Sequence, residues 1–228
     1  MRFLPATNIE YVTPKRFPSA SMWHQERHPE RCLTRDQVRS LLSSRVLVEE
    51  KIQGSPRSFE AADQFYLFAV DMLPRRATAY RVPGRYAVFD AFDFNLGVFL
   101  FSEDKAELFR DLRLGVLRVE GVPREDFFPV PVVAEGMFND AAEILHLAGT
   151  SAYAVDPRDG TSVQMAGLVV KPDRQLYPEE QLRGRIDLVG GTGGASPPPD
   201  GRNIIIHGMP IVIRYDPYVT LGKADFSH

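Results

Sequence analysis

The sequence predicts an α+β fold built largely from antiparallel sheets with flanking helices. Several short apolar and aromatic segments have strand character, only a few segments combine helical spacing with a cap, and the connections between strands are irregular. The chain has 228 residues, of which 44% are hydrophobic and 25% charged. This length and composition are sufficient for a sizeable hydrophobic core.

The strands are predicted from runs of apolar, β-branched and aromatic residues. They lie at residues 45–52, 64–73, 86–92, 130–133, 168–170, 203–206 and 211–215. Helices are predicted where a capping residue precedes apolar residues at helical spacing. Thr34 and Gln37 form a capping-box pattern, while Ser102 and Asn139 are the predicted N-caps of two further helices.

A glycine- and proline-rich segment at 190–200 predicts a linker. We therefore expect one domain over residues 1–189, followed by this linker. The remaining segment, 201–228, is expected to form a short strand pair packed on the same domain.

Composition excludes several classes of protein. No apolar run is long enough to span a membrane, and the N-terminus lacks the apolar core of a signal peptide. Cys32 is the single cysteine, so a reducing, cytoplasmic location is expected. The five histidines show no metal-ligand spacing. The formal net charge of -3 argues against avid nonspecific binding to polynucleotides.

Lys51 is the most informative residue, because an apolar strand delivers it into a turn that Gly54 closes. The chain contains only five lysines against twenty-two arginines. Unlike arginine, a lysine can lose its proton in a suitable environment and attack an electrophile. A surface lysine ahead of a turn glycine is the plainer interpretation of this pattern alone.

The segment around Lys51 resembles motif I of the ATP-dependent RNA ligases, which are covalent nucleotidyltransferases. Other segments resemble later ligase motifs in the same order, over roughly residues 45–187. They are 66–71, ending in an acidic residue; 86–93, with two aspartates beside aromatic residues; 102–112, a helix; 128–133, with Val-Pro-Val; and 165–172, ending in Lys-Pro.

The resemblance implies the ligase adenylation-domain fold and ATP as substrate, with Mg²⁺ neutralising the triphosphate. Lys51 would carry AMP, which in a full ligase passes to an RNA 5′-phosphate. It also implies a set of nucleotide-binding residues beside that lysine. They are Phe89 against the base, Asp71 near the ribose, Lys171, Arg183 and Arg185 on phosphates, and Glu50, Ile52, Gly54 and Arg57 around the nucleophile.

Three departures from the family pattern leave this chain with fewer of the catalytic and binding residues that the family has. Ala166 stands where the family has a glutamate that helps hold the metal and the lysine. Arg183 and Arg185 replace the usual phosphate-binding lysines, and the arginine motif after motif I is missing unless Arg57 substitutes for it. A nucleotide-binding or assembly protein with reduced catalysis is therefore one alternative function. Adenylation of an acceptor other than nucleic acid is another.

Several of these residues also have plainer structural interpretations. Phe89 fits an ordinary core position, Asp71 fits pairing with a nearby arginine, and a lysine at a strand end often points to solvent. Strand alternation predicts that Glu50 faces away from Lys51. A basic segment between the two motif III strands could contact RNA phosphates or simply be solvated. Its arginines are Arg75, Arg76, Arg81 and Arg85.

Overall fold

The computed structural model describes residues 11–12, 14–17, 32–62, 64–73, 79–189, 203–206 and 209–213. Helices are few and strands many in these residues, which confirms the α+β class. The α-helices of the described part are α1 (Arg35–Leu42), α2 (Ser102–Leu114) and α3 (Ala141–Leu145), and two short 3₁₀ helices lie at Arg124–Asp126 and Pro178–Glu180.

The same described residues contain fifteen strands. They are β1 (Lys15–Arg16), β2 (Val46–Glu50), β3 (Ser55–Ala61), β4 (Phe65–Asp71), β5 (Ala79–Tyr80), β6 (Tyr86–Asp93), β7 (Val98–Phe99), β8 (Phe127–Pro129), β9 (Val132–Gly136), β10 (Thr150–Val155), β11 (Ser162–Gln164), β12 (Gly167–Pro172), β13 (Gly184–Val189), β14 (Asn203–Ile206) and β15 (Met209–Ile213).

These strands form three sheets. The first sheet has the order β14-β15-β13-β12-β2-β9, with β1 paired to β13. The second sheet has the order β3-β4-β6-β7, with β8 paired to β6, and a small third sheet has the order β11-β10-β5. Pairing is antiparallel except for β1 with β13 and β6 with β8, which agrees with the predicted mainly antiparallel arrangement.

Each large sheet buries one face against helices. Val46 and Val48 of β2 pack with Leu168 and Val170 of β12 in a core to which α1 and α3 also contribute. The second sheet packs against the apolar side of α2, which includes Leu108 and other residues of the helix. This leaves the opposite face of the first sheet available to meet the second sheet.

The capping-box prediction at α1 is confirmed: Gln37 N donates to Thr34 Oγ1 at 3.2 Å, and Thr34 N donates to Gln37 Oε1 at 2.9 Å. The other two cap predictions are wrong by one residue. Ser102 is the first residue of α2 rather than its N-cap, and its N–H donates to Asp173 Oδ1. Asp140, rather than Asn139, caps α3.

The predicted C-terminal strand pair is present as β14 and β15, and β15 pairs with β13. Its second strand begins two residues earlier than predicted. The predicted linker at 190–200 lies outside the described residues, and the division into domains stays a prediction. No helix in the described part of the chain combines the length and apolarity needed to cross a membrane.

Gly54 brings the turn after Lys51 close to β4. A Cβ atom at this position would lie 2.2 Å from Val70 Cγ1 and 2.5 Å from the carbonyl oxygen of Asp71. Such distances are far inside van der Waals contact, and one of the two atoms belongs to the backbone. The glycine of the Lys-x-x-Gly pattern is therefore required by packing alone.

We predict that Gly54→Ala destabilises the protein by roughly 1–3 kcal/mol, the usual cost of forcing atoms into a packed site. Gly149→Ala is the matched control, because the nearest atom to its added Cβ is 3.9 Å away. Chemical denaturation of both variants measures the difference. Equal stabilities of the two variants would contradict the close approach at Gly54.

Candidate functional site

Lys51 lies immediately after β2, on the side of the first sheet that faces away from α1 and α3. Val48 packs in the core beneath those helices, so strand alternation places Glu49 and Lys51 on the other side. The N–H of Lys51 donates to the carbonyl of Gly167 at 2.9 Å, which holds the residue beside β12. We call this side of β2, β12 and β13 the charged face.

Asp187 of β13 contacts the predicted nucleophile directly. Its Oδ1 accepts a hydrogen bond from Lys51 Nζ at 2.5 Å, and its Oδ2 lies 3.5 Å from Arg185 Nε. Asp187 was not among the predicted site residues. Alternation along β13 offered the signal, because positions 183, 185 and 187 share one face of the strand while Ile186 enters the opposite core.

A cluster of five buried charged residues joins the charged face to the second sheet and to α2. Lys105 Nζ and Lys171 Nζ lie 3.0 Å and 2.8 Å from the two oxygens of Glu49. Arg183 Nη2 donates to Asp90 Oδ2 of β6 at 2.7 Å. We name these five residues the interlayer charge cluster. It contains three cations and two carboxylates.

Burial and the neighbouring carboxylates have opposite effects on the pKa values of the two lysines. Burial lowers the pKa of Lys171 to about 8, although Asp90 and Glu49 oppose this effect. Burial also disfavours the charge of Lys105, but the carboxylates of Glu49 and Asp90 raise its pKa. The cluster holds one carboxylate fewer than cations, so the loss of a carboxylate would leave it more unbalanced than the loss of a cation.

Lys171 and Arg183 were predicted to bind phosphate, but both lie in this cluster. Lys171 also donates to the backbone carbonyl of Phe89 at 2.5 Å, and Arg183 is only 2% exposed. Their burial and pairing favour a structural role. Arg185, the third predicted phosphate ligand, is one-quarter exposed beside Lys51.

Asp71, the predicted ribose contact, ends β4 and is buried. Arg85 donates to both of its carboxylate oxygens, at 3.1 and 3.0 Å, and Leu73 N donates to it as well. The hydrogen bonds from Arg85 are the largest influence that lowers the pKa of Asp71. Arg57, on exposed β3, lies 3.9 Å from the same carboxylate. Two arginines thus converge on Asp71, and the predicted Arg75 and Arg76 lie outside the described residues.

Phe89, the predicted base-stacking residue, is half-buried on β6. The ring of Tyr11 meets it edge-on, with centroids 4.8 Å apart, and the ring of Phe68 lies 6.5 Å away. The guanidinium of Arg183 lies over the ring of Tyr11, 4.5 Å from the ring centroid. Aromatic contacts from the protein itself therefore occupy part of the Phe89 surface.

The residues next to the nucleophile are held by other parts of the protein. Glu50 accepts hydrogen bonds from the hydroxyl of Ser151 and from Ala152 N, on the side away from Lys51, as strand alternation predicts. Ile52 is partly buried against an apolar cluster that includes Phe128. Phe89, the expected base contact, packs against the same cluster.

The described residues contain no group of three or more His, Cys, Asp or Glu side chains able to hold a metal ion. Ala166 provides no carboxylate. The part of the chain that the structure describes therefore does not fit a metal site built from protein ligands alone. A Mg²⁺ ion accompanying a nucleoside triphosphate would be held mainly by phosphate oxygens and water, as is usual for this ion.

A cavity of about 240 Å³ is formed by the C-terminal end of α2 and the segment that follows it. None of the predicted site residues lines it. Its walls are formed by Leu112, Gly115, Leu117, Arg118, Val119, Val122, Arg124 and Phe127.

Comparisons of this chain with protein-family models, with curated proteins and with solved structures find no match. The interpretation of the site therefore depends on the geometry of its own residues. That geometry brings Lys51, Arg185 and Asp187 together and places Lys171 and Arg183 in the interlayer charge cluster.

We predict that Glu49→Gln destabilises the protein by roughly 3–5 kcal/mol, because it leaves three buried cations with one carboxylate. Lys171→Met should cost less, roughly 1–2 kcal/mol, because Lys105 keeps Glu49 and Arg183 keeps Asp90. Denaturant unfolding at neutral pH measures both variants. If Lys171→Met costs as much as Glu49→Gln, the positive excess of the cluster is not what limits its stability.

Proposed function

We propose that this chain is a covalent nucleotidyltransferase of the RNA-ligase type, with the ligase adenylation-domain fold, in which Lys51 accepts AMP from ATP. One observation carries the proposal. Three segments chosen by their resemblance to ligase motifs lie on adjacent strands β2, β12 and β13, and β2 is far in sequence from the other two. Lys51 meets both neighbours, through Gly167 O and Asp187 Oδ1.

The charges beside Lys51 fit a polyphosphate. Among the ion pairs of the described residues, Lys51 and Arg185 share the carboxylate of Asp187, so these three side chains together carry one positive charge. Arg185 is placed to bind phosphate oxygens, for which a guanidinium is well suited. Mg²⁺, when bound with ATP, would neutralise charge on the leaving pyrophosphate.

The proposed step forms one bond and breaks one. The neutral amine of Lys51 attacks the α-phosphorus of ATP, a P–N bond forms, and the bond from that phosphorus to the bridging oxygen breaks. Pyrophosphate leaves, and the amine loses a proton to solvent. Transfer of the AMP to an RNA 5′-phosphate would follow.

A second candidate is a nucleotide-binding or assembly protein that keeps the fold without the chemistry. It is favoured by the internal pairing of Lys171 and Arg183 and by the contact of Tyr11 with Phe89. Adenylation of a small molecule or of another protein is the remaining alternative. A gain of AMP mass by the protein distinguishes the main proposal from the non-catalytic candidate.

We expect the wild-type protein to gain the mass of one AMP when incubated with ATP and Mg²⁺. Lys51→Ala and Lys51→Arg should gain none, because only a lysine amine at this position can attack. Lys15→Ala is the control and should be labelled like the wild type. Intact-mass spectrometry followed by peptide mapping measures both the gain and its position.

Label retained in Lys51→Ala, or AMP mapped to another residue, would contradict the role of Lys51. A wild-type protein that binds ATP in a calorimetric titration but never gains mass would favour the non-catalytic candidate.

A further inference from the structure

The Lys51 side chain reaches across a strand to find its partner. Lys51 follows β2, Asp187 is on β13, and β12 lies between those strands. The crossing point is Gly167, which is directly opposite Asp187 in the register of β12 and β13. The hydrogen bond to Asp187 therefore sets where the amine lies on the charged face.

Gly167 makes this crossing possible. A Cβ atom at position 167 would lie 3.2 Å from Lys51 Cδ and 2.2 Å from the carbonyl oxygen of Ile186. The lysine stem thus lies directly over the place where a side chain would otherwise stand. Gly167 leaves room for the lysine stem, and the carboxylate of Asp187 binds the amine at its end. Together these two residues define one position for the Lys51 amine.

The pair is neither fully buried nor fully exposed. The side chains of Lys51 and Asp187 are 27% and 26% exposed, and that of Arg185 is 25% exposed. An exposed ion pair would contribute little, whereas partial burial strengthens the attraction. About a quarter of each of these side chains thus remains in contact with solvent.

A carboxylate at this distance holds the amine of Lys51 in place through a charge-assisted hydrogen bond. Because Lys51 and Arg185 together carry one positive charge more than Asp187 balances, an anionic phosphate can compete with Asp187 for the two cations. Arrival of a polyphosphate would then loosen the pair next to the atom that it attacks.

We propose that Asp187 is the positioning residue of Lys51, and that it supplies from β13 the carboxylate that Ala166 does not provide from the segment before β12. Asp187 holds the amine over Gly167 until a phosphate group of a nucleoside triphosphate replaces the Asp187 carboxylate as the partner of Lys51 and Arg185. This inference rests on the proposed nucleotidyl transfer for its catalytic consequence, but the pairing itself can be measured without any nucleotide.

The first test measures the reactivity of Lys51 in the intact protein without nucleotide. Reductive methylation with formaldehyde and cyanoborohydride at pH 8 is followed by peptide mass spectrometry, with Lys15 as internal reference. Asp187→Asn should speed methylation of Lys51 by about tenfold, because the amine is no longer held in a charge-assisted hydrogen bond. Asp187→Glu should stay within about twofold of the wild type, because a carboxylate can still hold the amine.

The second test measures AMP transfer with the same variants. Asp187→Asn should lower the rate constant of lysyl-AMP formation by about tenfold through misplacement of the amine, while the KM for ATP stays unchanged or falls. Asp187→Glu should restore most of the rate. Asp36→Asn, which removes an exposed carboxylate of α1, is the control for net charge and should match the wild type in both tests.

Two results would overturn the inference. Equal methylation of Lys51 in the wild type and in Asp187→Asn would mean that the pair does not form in solution. Full AMP transfer in Asp187→Asn would mean that the pair does not position the nucleophile. If methylation responds as expected but the wild type never accepts AMP, the pairing stands and the proposed function fails.

Discussion

The interlayer charge cluster is the constraint on which the arrangement of the two large sheets depends. Glu49 of β2 pairs with Lys105 of α2 and with Lys171 of β12. Arg183, just before β13, pairs with Asp90 of β6. A shift of either sheet would therefore leave a buried charge without its partner. Removal of one member of a buried pair costs far more than the loss of an exposed one. The cluster thereby fixes the position of β2, and with it the point where Lys51 leaves the strand.

The cluster also divides the cations of the charged face into two groups. Lys105, Lys171 and Arg183 are buried and paired with protein carboxylates, whereas Lys51 and Arg185 remain partly exposed around a single carboxylate. Under the proposed function, Lys51 and Arg185, which both contact Asp187, are the cations left for a substrate anion. Lys51 would then be the reactive amine and Arg185 its phosphate-binding neighbour.

Local patterns were sufficient to predict much of this structure. Runs of apolar and aromatic residues predicted β2, β4, β6 and β12, and the capping box at Thr34 was correct, because both signals arise within a few consecutive residues. Polar β3 was not predicted, since pairing with β4 rather than its own composition makes it a strand. The burial of Lys171 and the partnership of Lys51 with Asp187 depend on strand order in space, which no local pattern contains.

The central claim is that Arg185, and not Lys171, is the cation available to phosphate. Calorimetric titration of ATP into wild type, Arg185→Ala and Lys171→Met tests it most directly. Loss of a charge-assisted contact should weaken ATP binding by about tenfold or more in Arg185→Ala. Lys171→Met should bind ATP within about twofold of the wild type, because its amine already has protein partners. The opposite pattern, with strong loss in Lys171→Met and none in Arg185→Ala, would contradict the account.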